Sequence, residues 1–189
     1  MRNRSYSELK NGYTLIVGDV GAGKTQLTRE LLSEALEEGE SVTVLDFAPC
    51  PRVVDGVRIG GYLIEDEHGI RCLRSDEIKT PRLTAREPET LIKLADLNHA
   101  TTTRLINEYI RAPTPVLFIN DASIHLQRGD TAKLLEAINL SQTTIANGYL
   151  GDYLREDYGS KVSEHERANM NALAEAMDLV IRLNEETGE

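Results

Sequence analysis

Cysteine is nearly absent from this chain, with only Cys50 and Cys72 present. Two thiols that far apart exclude a zinc cluster, which gathers its ligands in close pairs, and a disulfide-framed fold. In a reducing compartment both read as thiols. No apolar run approaches the ~20 residues of a membrane-spanning helix, and residues 1–12 are polar without a secretory hydrophobic region. The expected location is cytoplasmic, with no membrane partner. Basic residues are in deficit, 21 against 31 acids, for a net charge of −10. That balance argues against non-specific binding along a nucleic-acid backbone. Tryptophan is missing, and there is no internal repeat or low-complexity stretch. What remains is ordinary for a soluble globular protein, with 40% hydrophobic and 28% charged residues. The 189 residues are most simply one domain, 1–189, large enough for a real core.

Against those absences stands Gly18-Asp19-Val20-Gly21-Ala22-Gly23-Lys24-Thr25, which fits G-x-x-x-x-G-K-[ST] at every fixed position. Tyr13 to Val17 before it is short, apolar and β-branched, as a buried strand is. From Gln26 to Glu38, Leu27, Leu31, Leu32, Ala35 and Leu36 recur on one face of a helix. Strand, glycine loop and helix together make a phosphate cradle. The glycines let backbone N–H groups turn toward phosphate oxygens, and the helix N-terminus adds partial positive charge. Gly18, Gly21, Ala22, Gly23, Lys24, Thr25 and Gln26 form the expected nucleotide-binding set. Lys24 reaches the β- and γ-phosphates, and the Thr25 hydroxyl ligates Mg²⁺.

Further strands are expected at Ser41–Leu45, Val116–Ile119, Thr143–Ala146 and Leu179–Leu183, alternating with helices. Pro88 opens a helical stretch to about Ile110 that Thr101-Thr102-Thr103 weakens in the middle, so that it reads as one helix or as two. Asp130 can cap a helix reaching about Leu140, and Ser163-x-x-Glu166 has the capping-box spacing. Residues 53–83 read as an insertion, with Tyr62–Ile64 and Ile70–Leu73 as a hairpin around Glu65–Gly69. The fold class is therefore α/β, three-layered, with a mostly parallel five-stranded sheet and a small hairpin insertion. In such sheets ligands lie beyond the carboxyl ends of the strands, so Asp46, Asn120, Asp121 and Asn147 should face the crevice of the phosphate loop. Residues 52–86 hold seven basic side chains against six acids. They read as a mixed-charge surface or as a local platform for an anionic partner.

With its full Walker A motif, the chain resembles the P-loop NTPase superfamily. Val116-Leu117-Phe118-Ile119-Asn120-Asp121 is similar to Walker B in its apolar strand and terminal acid. The resemblance implies ATP and Mg²⁺ as cofactors, with hydrolysis or phosphoryl transfer as the chemistry. Lys24, Asp121 and Asp46 are the candidate catalytic residues, and Thr25 and Asp121 the metal ligands. Asp121 suits Mg²⁺ better than Asn120 because a hard cation favours carboxylate oxygen. If Asn120 took the metal position, Asp121 would become the base. Ala122 follows where hydrolytic relatives carry Glu. Asp46 has three open roles: metal assistance, base toward a substrate hydroxyl, or cap of the next turn. Asn147 either senses the γ-phosphate or belongs to an Asn-Gly turn. Residues 149–162 read as a lid whose Arg155 neutralises phosphate charge, or as a loop packing Tyr149, Tyr153 and Tyr158.

No Asn-Lys-x-Asp motif specifies guanine, so ATP is preferred over GTP. The histidines are scattered and read as structural. The stretch from Tyr13 to Asp46 is also similar to polynucleotide 5′-hydroxyl kinases. Those continue with a second Asp and Gly-Gln, where this chain has Phe47-Ala48-Pro49-Cys50-Pro51. Three activities stay open: an ATPase driving a conformational change in a protein partner or homo-oligomer, a kinase for a small-molecule or polynucleotide hydroxyl, and a slow or inactive nucleotide-gated binding module.

Overall fold

The computed structural model describes residues 4–54, 57–64, 69–154 and 156–183. In chain order the elements are α1 (Tyr6–Leu9), β1 (Tyr13–Gly18), α2 (Lys24–Glu37), β2 (Val42–Asp46), β3 (Arg52–Val54), β4 (Val57–Ile59), β5 (Arg71–Arg74) and α3 (Pro81–Thr84). They continue with α4 (Pro88–Arg111), β6 (Val116–Asn120), α5 (Ala122–Leu126), α6 (Ala132–Ile138), β7 (Thr143–Tyr149), α7 (Val162–Glu175) and β8 (Leu179–Leu183). Six strands form one sheet in the order β5-β2-β6-β7-β1-β8, and every adjacent pair is parallel.

Both faces of the sheet are covered, which is why its strands read as continuous apolar runs. Even and odd positions go to opposite sides. Leu15, Val17, Leu45, Leu117 and Ile119 pack with Leu105, Ile106 and Tyr109 of α4 and with Met170 and Leu173 of α7. Ile16, Val44, Phe118 and Ile145 pack with Leu27, Leu31, Leu32 and Ala35 of α2 and with Tyr6 and Leu9 of α1. Among the described residues no helix is long and apolar enough to cross a membrane.

The sheet differs from the sequence expectation in having six strands rather than five. Arg71–Arg74 does not pair with Tyr62–Ile64; it joins the main sheet as an edge strand, Thr43 to Asp46 lying beside Arg71 to Arg74. The reason is that residues 62–64 spend their backbone groups elsewhere. The Tyr62 and Leu63 carbonyls accept from Arg29 on α2, the Ile64 carbonyl accepts from Arg74, and the Leu63 N–H goes to Asp46. The antiparallel pair of this region is β3 with β4; of the expected loop Glu65–Gly69, residues 65–68 lie outside the described residues.

Three other expectations change. The threonines do not split α4, because Thr102 Oγ1 donates back to the turn at Asn98 and meets His125 Nδ1 at 2.8 Å. Asn147 and Gly148 lie inside β7 rather than in a turn. A Cβ at Gly148 would come within 2.6 Å of Met170 Cε, so a larger residue there would make the Met170 side chain of α7 shift. Glu166 is not a cap: α7 begins at Val162, where Ser160 Oγ and Asp157 Oδ2 accept first-turn N–H groups, while Glu166 turns inward.

His125 on α5 is fully buried, its ring centroid 4.8 Å from that of His99. Burial, reinforced by His99 and opposed by Asp130, pushes its pKa down from 6.5 to about 3. The stability that neutral His125 contributes is present above pH 6.5 and is lost as pH falls toward 3, because the unfolded chain takes up the proton first. In urea unfolding, wild type should therefore lose stability relative to His125→Leu across that acid range. A parallel pH dependence for the two proteins would contradict the assignment.

Candidate functional site

β1 delivers the chain to Gly18, whose Cβ would lie 2.6 Å from the Leu183 carbonyl oxygen of β8. Gly21 and Gly23 have φ of 78° and 84°, and a Cβ at either would meet nothing within 4 Å. These two glycines are required by dihedral angle, not by space. The loop then enters α2 with Gly23 as N-cap and no capping side chain. Leu27 is the residue whose N–H bonds back to Gly23, at 3.0 Å. The N–H groups of Lys24, Thr25 and Gln26 thus belong to the first turn, which has no intrahelical acceptor. This cradle fits a phosphate chain. Lys24 Nζ donates to the Asp19 carbonyl oxygen. Burial lowers the Lys24 pKa, while Asp121 and Asp19 support its charge.

Asp121 leaves β6 in the left-handed region, φ 57° and ψ 52°, which Asp tolerates better than most residues. Asn147 Oδ1 accepts its N–H at 2.9 Å, and Ser123 Oγ donates to its Oδ1 at 2.6 Å. Burial raises the Asp121 pKa, against Ser123, Lys24 and Arg82. Lys24, Thr25, Asn120, Asp121 and Asn147 all line one crevice with Val20 and Gly21 of the loop. Gln26 points away, exposed, and bonds to Glu30 at 3.1 Å.

Behind this wall runs a buried polar ladder across three strand ends. Asp46, Asn120 and Asn147 continue the α2 side of β2, β6 and β7, where the apolar core stops. Asn120 Nδ2 donates to Asp46 Oδ1 at 2.8 Å, and Asn147 Nδ2 donates to Asn120 Oδ1 at 3.0 Å and to Thr28 Oγ1 at 2.9 Å. Thr28 in turn donates to the Lys24 carbonyl at 2.8 Å. Asp46 also accepts the N–H groups of Leu63 at 2.6 Å and Ala48 at 3.2 Å. Burial lifts its carboxyl to about 6 against these three donors. Both Asp46 oxygens are engaged, and the residue stands behind Asn120 rather than on the crevice wall. The ladder ties the start of α2 to the segment at Leu63.

Residues that sequence reasoning passed over complete the surroundings. Asp19, an unassigned position of the motif, accepts N–H groups from Val20 at 2.7 Å, Asp152 at 2.7 Å and Tyr153 at 3.1 Å. It thereby pins the start of the 149–162 segment onto the phosphate loop; Arg155 lies outside the described residues. Partial desolvation works to raise its carboxyl, but these N–H donors and Lys24 hold its pKa below the usual value. Asp19→Ala should speed hydrogen exchange at the Asp152 and Tyr153 amides by about tenfold or more, each having lost a charge-assisted bond. Unchanged protection there would contradict this docking.

Arg82 was hidden in the mixed-charge run. It extends from α3 and grips both Glu166 oxygens at 2.9 Å, with both side chains buried. Its guanidinium lies 5.1 Å from the Tyr149 ring centroid. Burial pushes the Glu166 carboxyl up to about 7, with Arg82 and a hydrogen bond from Gln127 pulling the other way. Arg71 and Arg74 of the same run are likewise committed, to the Glu108 and Ile64 carbonyls. A sequence pattern gives no sign of such pairings, because the partners are 84 residues apart for Arg82.

No family model matches the chain, and no curated protein does either. Among solved structures it is similar to the flagellar accessory protein FlaH of Methanocaldococcus jannaschii, with a TM-score of 0.48 at 10% identity over 96% of this chain and 77% of that one. It is also similar to the Hef helicase domain of Pyrococcus furiosus, with a TM-score of 0.46 at 14% identity over 96% of this chain and 37% of that one.

Proposed function

We propose that this chain is a Mg²⁺- and ATP-binding P-loop NTPase that hydrolyses ATP to drive a conformational change or a partner interaction. One observation carries the reading: a two-glycine loop at a helix N-terminus opens onto the same crevice as Lys24, Thr25 and Asp121. In this reading the loop amides and Lys24 hold the β- and γ-phosphates, and Thr25 with Asp121 holds the metal, which supplies charge neutralisation at the phosphates. Asn147 fixes the Asp121 backbone and registers whether the terminal phosphate is present. Turnover is slow, since Ala122 stands where a neighbouring acid would polarise water and Asp46 is fully hydrogen-bonded.

Steady-state phosphate release with Mg²⁺ tests it. Asp121→Asn keeps a residue tolerant of the left-handed region but removes the charge, and should lower release by about 10²-fold or more. Equal rates in variant and wild type would sink the hydrolytic assignment. A second reading, phosphoryl transfer to a small hydroxyl compound, is favoured by the crevice continuing past Asp121 to Leu83, Gln127 and Leu154.

A further inference from the structure

The crevice is larger than a phosphate cradle. A single cavity of about 330 Å³ runs from Lys24 and Thr25, past Asp121, to a far wall built by α3, α5 and the end of β7. That wall comprises Arg82, Leu83, Ile124, Gln127, Tyr149 and Leu154. We infer that it is a second binding subsite, for a small uncharged molecule that presents a hydroxyl or amide hydrogen to Gln127 Oε1.

Three observations carry this. First, Gln127 is 1% exposed, yet its Oε1 has no hydrogen-bond partner among the described residues. Its orientation is fixed, because Glu166 already accepts from Arg82 and takes a hydrogen bond from Gln127. Only the amide nitrogen can donate to that carboxylate, so the carbonyl oxygen is left needing a donor. Second, the one cation among the described residues of the wall is spent. Arg82 meets both Glu166 oxygens at 2.9 Å and the Leu154 carbonyl at 3.3 Å, so an anionic ligand would find its charge already answered. Leu83, Ile124 and Leu154 add apolar surface, which suits an uncharged ligand body. Third, the whole cavity is at the small end of ligand pockets, and the phosphate loop shares it. The space fits a small molecule and not a polymer.

The subsite rests on the Mg·ATP reading only for what lies next to it; its own ligand can be tested with or without nucleotide. The experiment is ligand-observed NMR on the full chain with glycerol, myo-inositol, ribose and uridine, with glycerol 3-phosphate and uridine 5′-phosphate as charged counterparts. Spectra are taken with and without Mg·ADP, whose binding is measured on the same samples. At least one neutral compound should bind, and with Mg·ADP filling the phosphate cradle its charged counterpart should bind more weakly. Gln127→Met, which removes the acceptor, should weaken that compound by about tenfold or more. Leu83→Trp, which fills the space from a different element, should abolish its binding. Failure of all neutral probes on wild type, equal binding by Gln127→Met, or preference for the anions with Mg·ADP filling the phosphate cradle would overturn the subsite. If Mg·ADP fails to bind while a neutral probe succeeds, the nucleotide reading falls and the subsite stands.

Discussion

Replacing Lys24 with alanine should reduce Mg²⁺-dependent phosphate release to background, a loss of about 10²–10³-fold. The same variant should abolish the rise in melting temperature that ATP and Mg²⁺ produce in wild type. Lys24 is the first residue of α2, its ammonium folds back over the loop to the Asp19 carbonyl, and Asp121 and Asp19 are the charges around it. Burial already disfavours its charged form. Removing the side chain therefore takes away a desolvated cation that the apo fold does not need, and the apo melting temperature should change little. Large functional loss with small stability change separates a phosphate-binding lysine from a packing one. A variant that loses stability but keeps its nucleotide response would contradict the role.

Glu166→Ala should have the opposite signature, with a large stability loss. It leaves Arg82 buried without its counter-charge, which costs about 3–5 kcal/mol. For a domain of this size that corresponds to a fall in melting temperature of about 10 °C or more. The comparison belongs near pH 8, above the value of about 7 to which burial lifts Glu166, so that the pair is charged. Arg82→Met combined with Glu166→Leu should recover most of the loss, since the penalty lies in the unpaired charge and not in the missing attraction. A double variant as unstable as Glu166→Ala would show that the pair itself holds α3 to α7.

The fold was legible where local and global signals agreed. The apolar runs of β1, β2, β6 and β8, the periodicity of α2 and the glycine loop all stand near where their residues put them. The edge strand β5 was not legible. Arg71-Cys72-Leu73-Arg74 is short, and its choice of β2 over Tyr62–Ile64 depends on Arg29 and Asp46 having claimed that segment's backbone. The Asn147-Gly148 pair misleads for a related reason. Its turn propensity is overridden by burial between β1 and β6 and by the close approach of α7. At the site, the loop and the strand-end polar residues could be read from spacing and topology. Asp19, Arg82, Glu166 and Gln127 could not, because each acts through a partner distant in sequence. One clue was available for Asp19: an acid inside a phosphate loop is out of place unless backbone N–H groups occupy it.

The central claim is that Gly18 to Thr25 holds the phosphates of Mg·ATP. Titration calorimetry of ATP into the full chain with Mg²⁺ tests it most directly. The account predicts one site per chain, with Kd within about 1 µM–1 mM, the range usual for enzyme substrates. It further predicts that the binding heat disappears in Lys24→Ala. No binding by wild type, or the same affinity in Lys24→Ala, would contradict it.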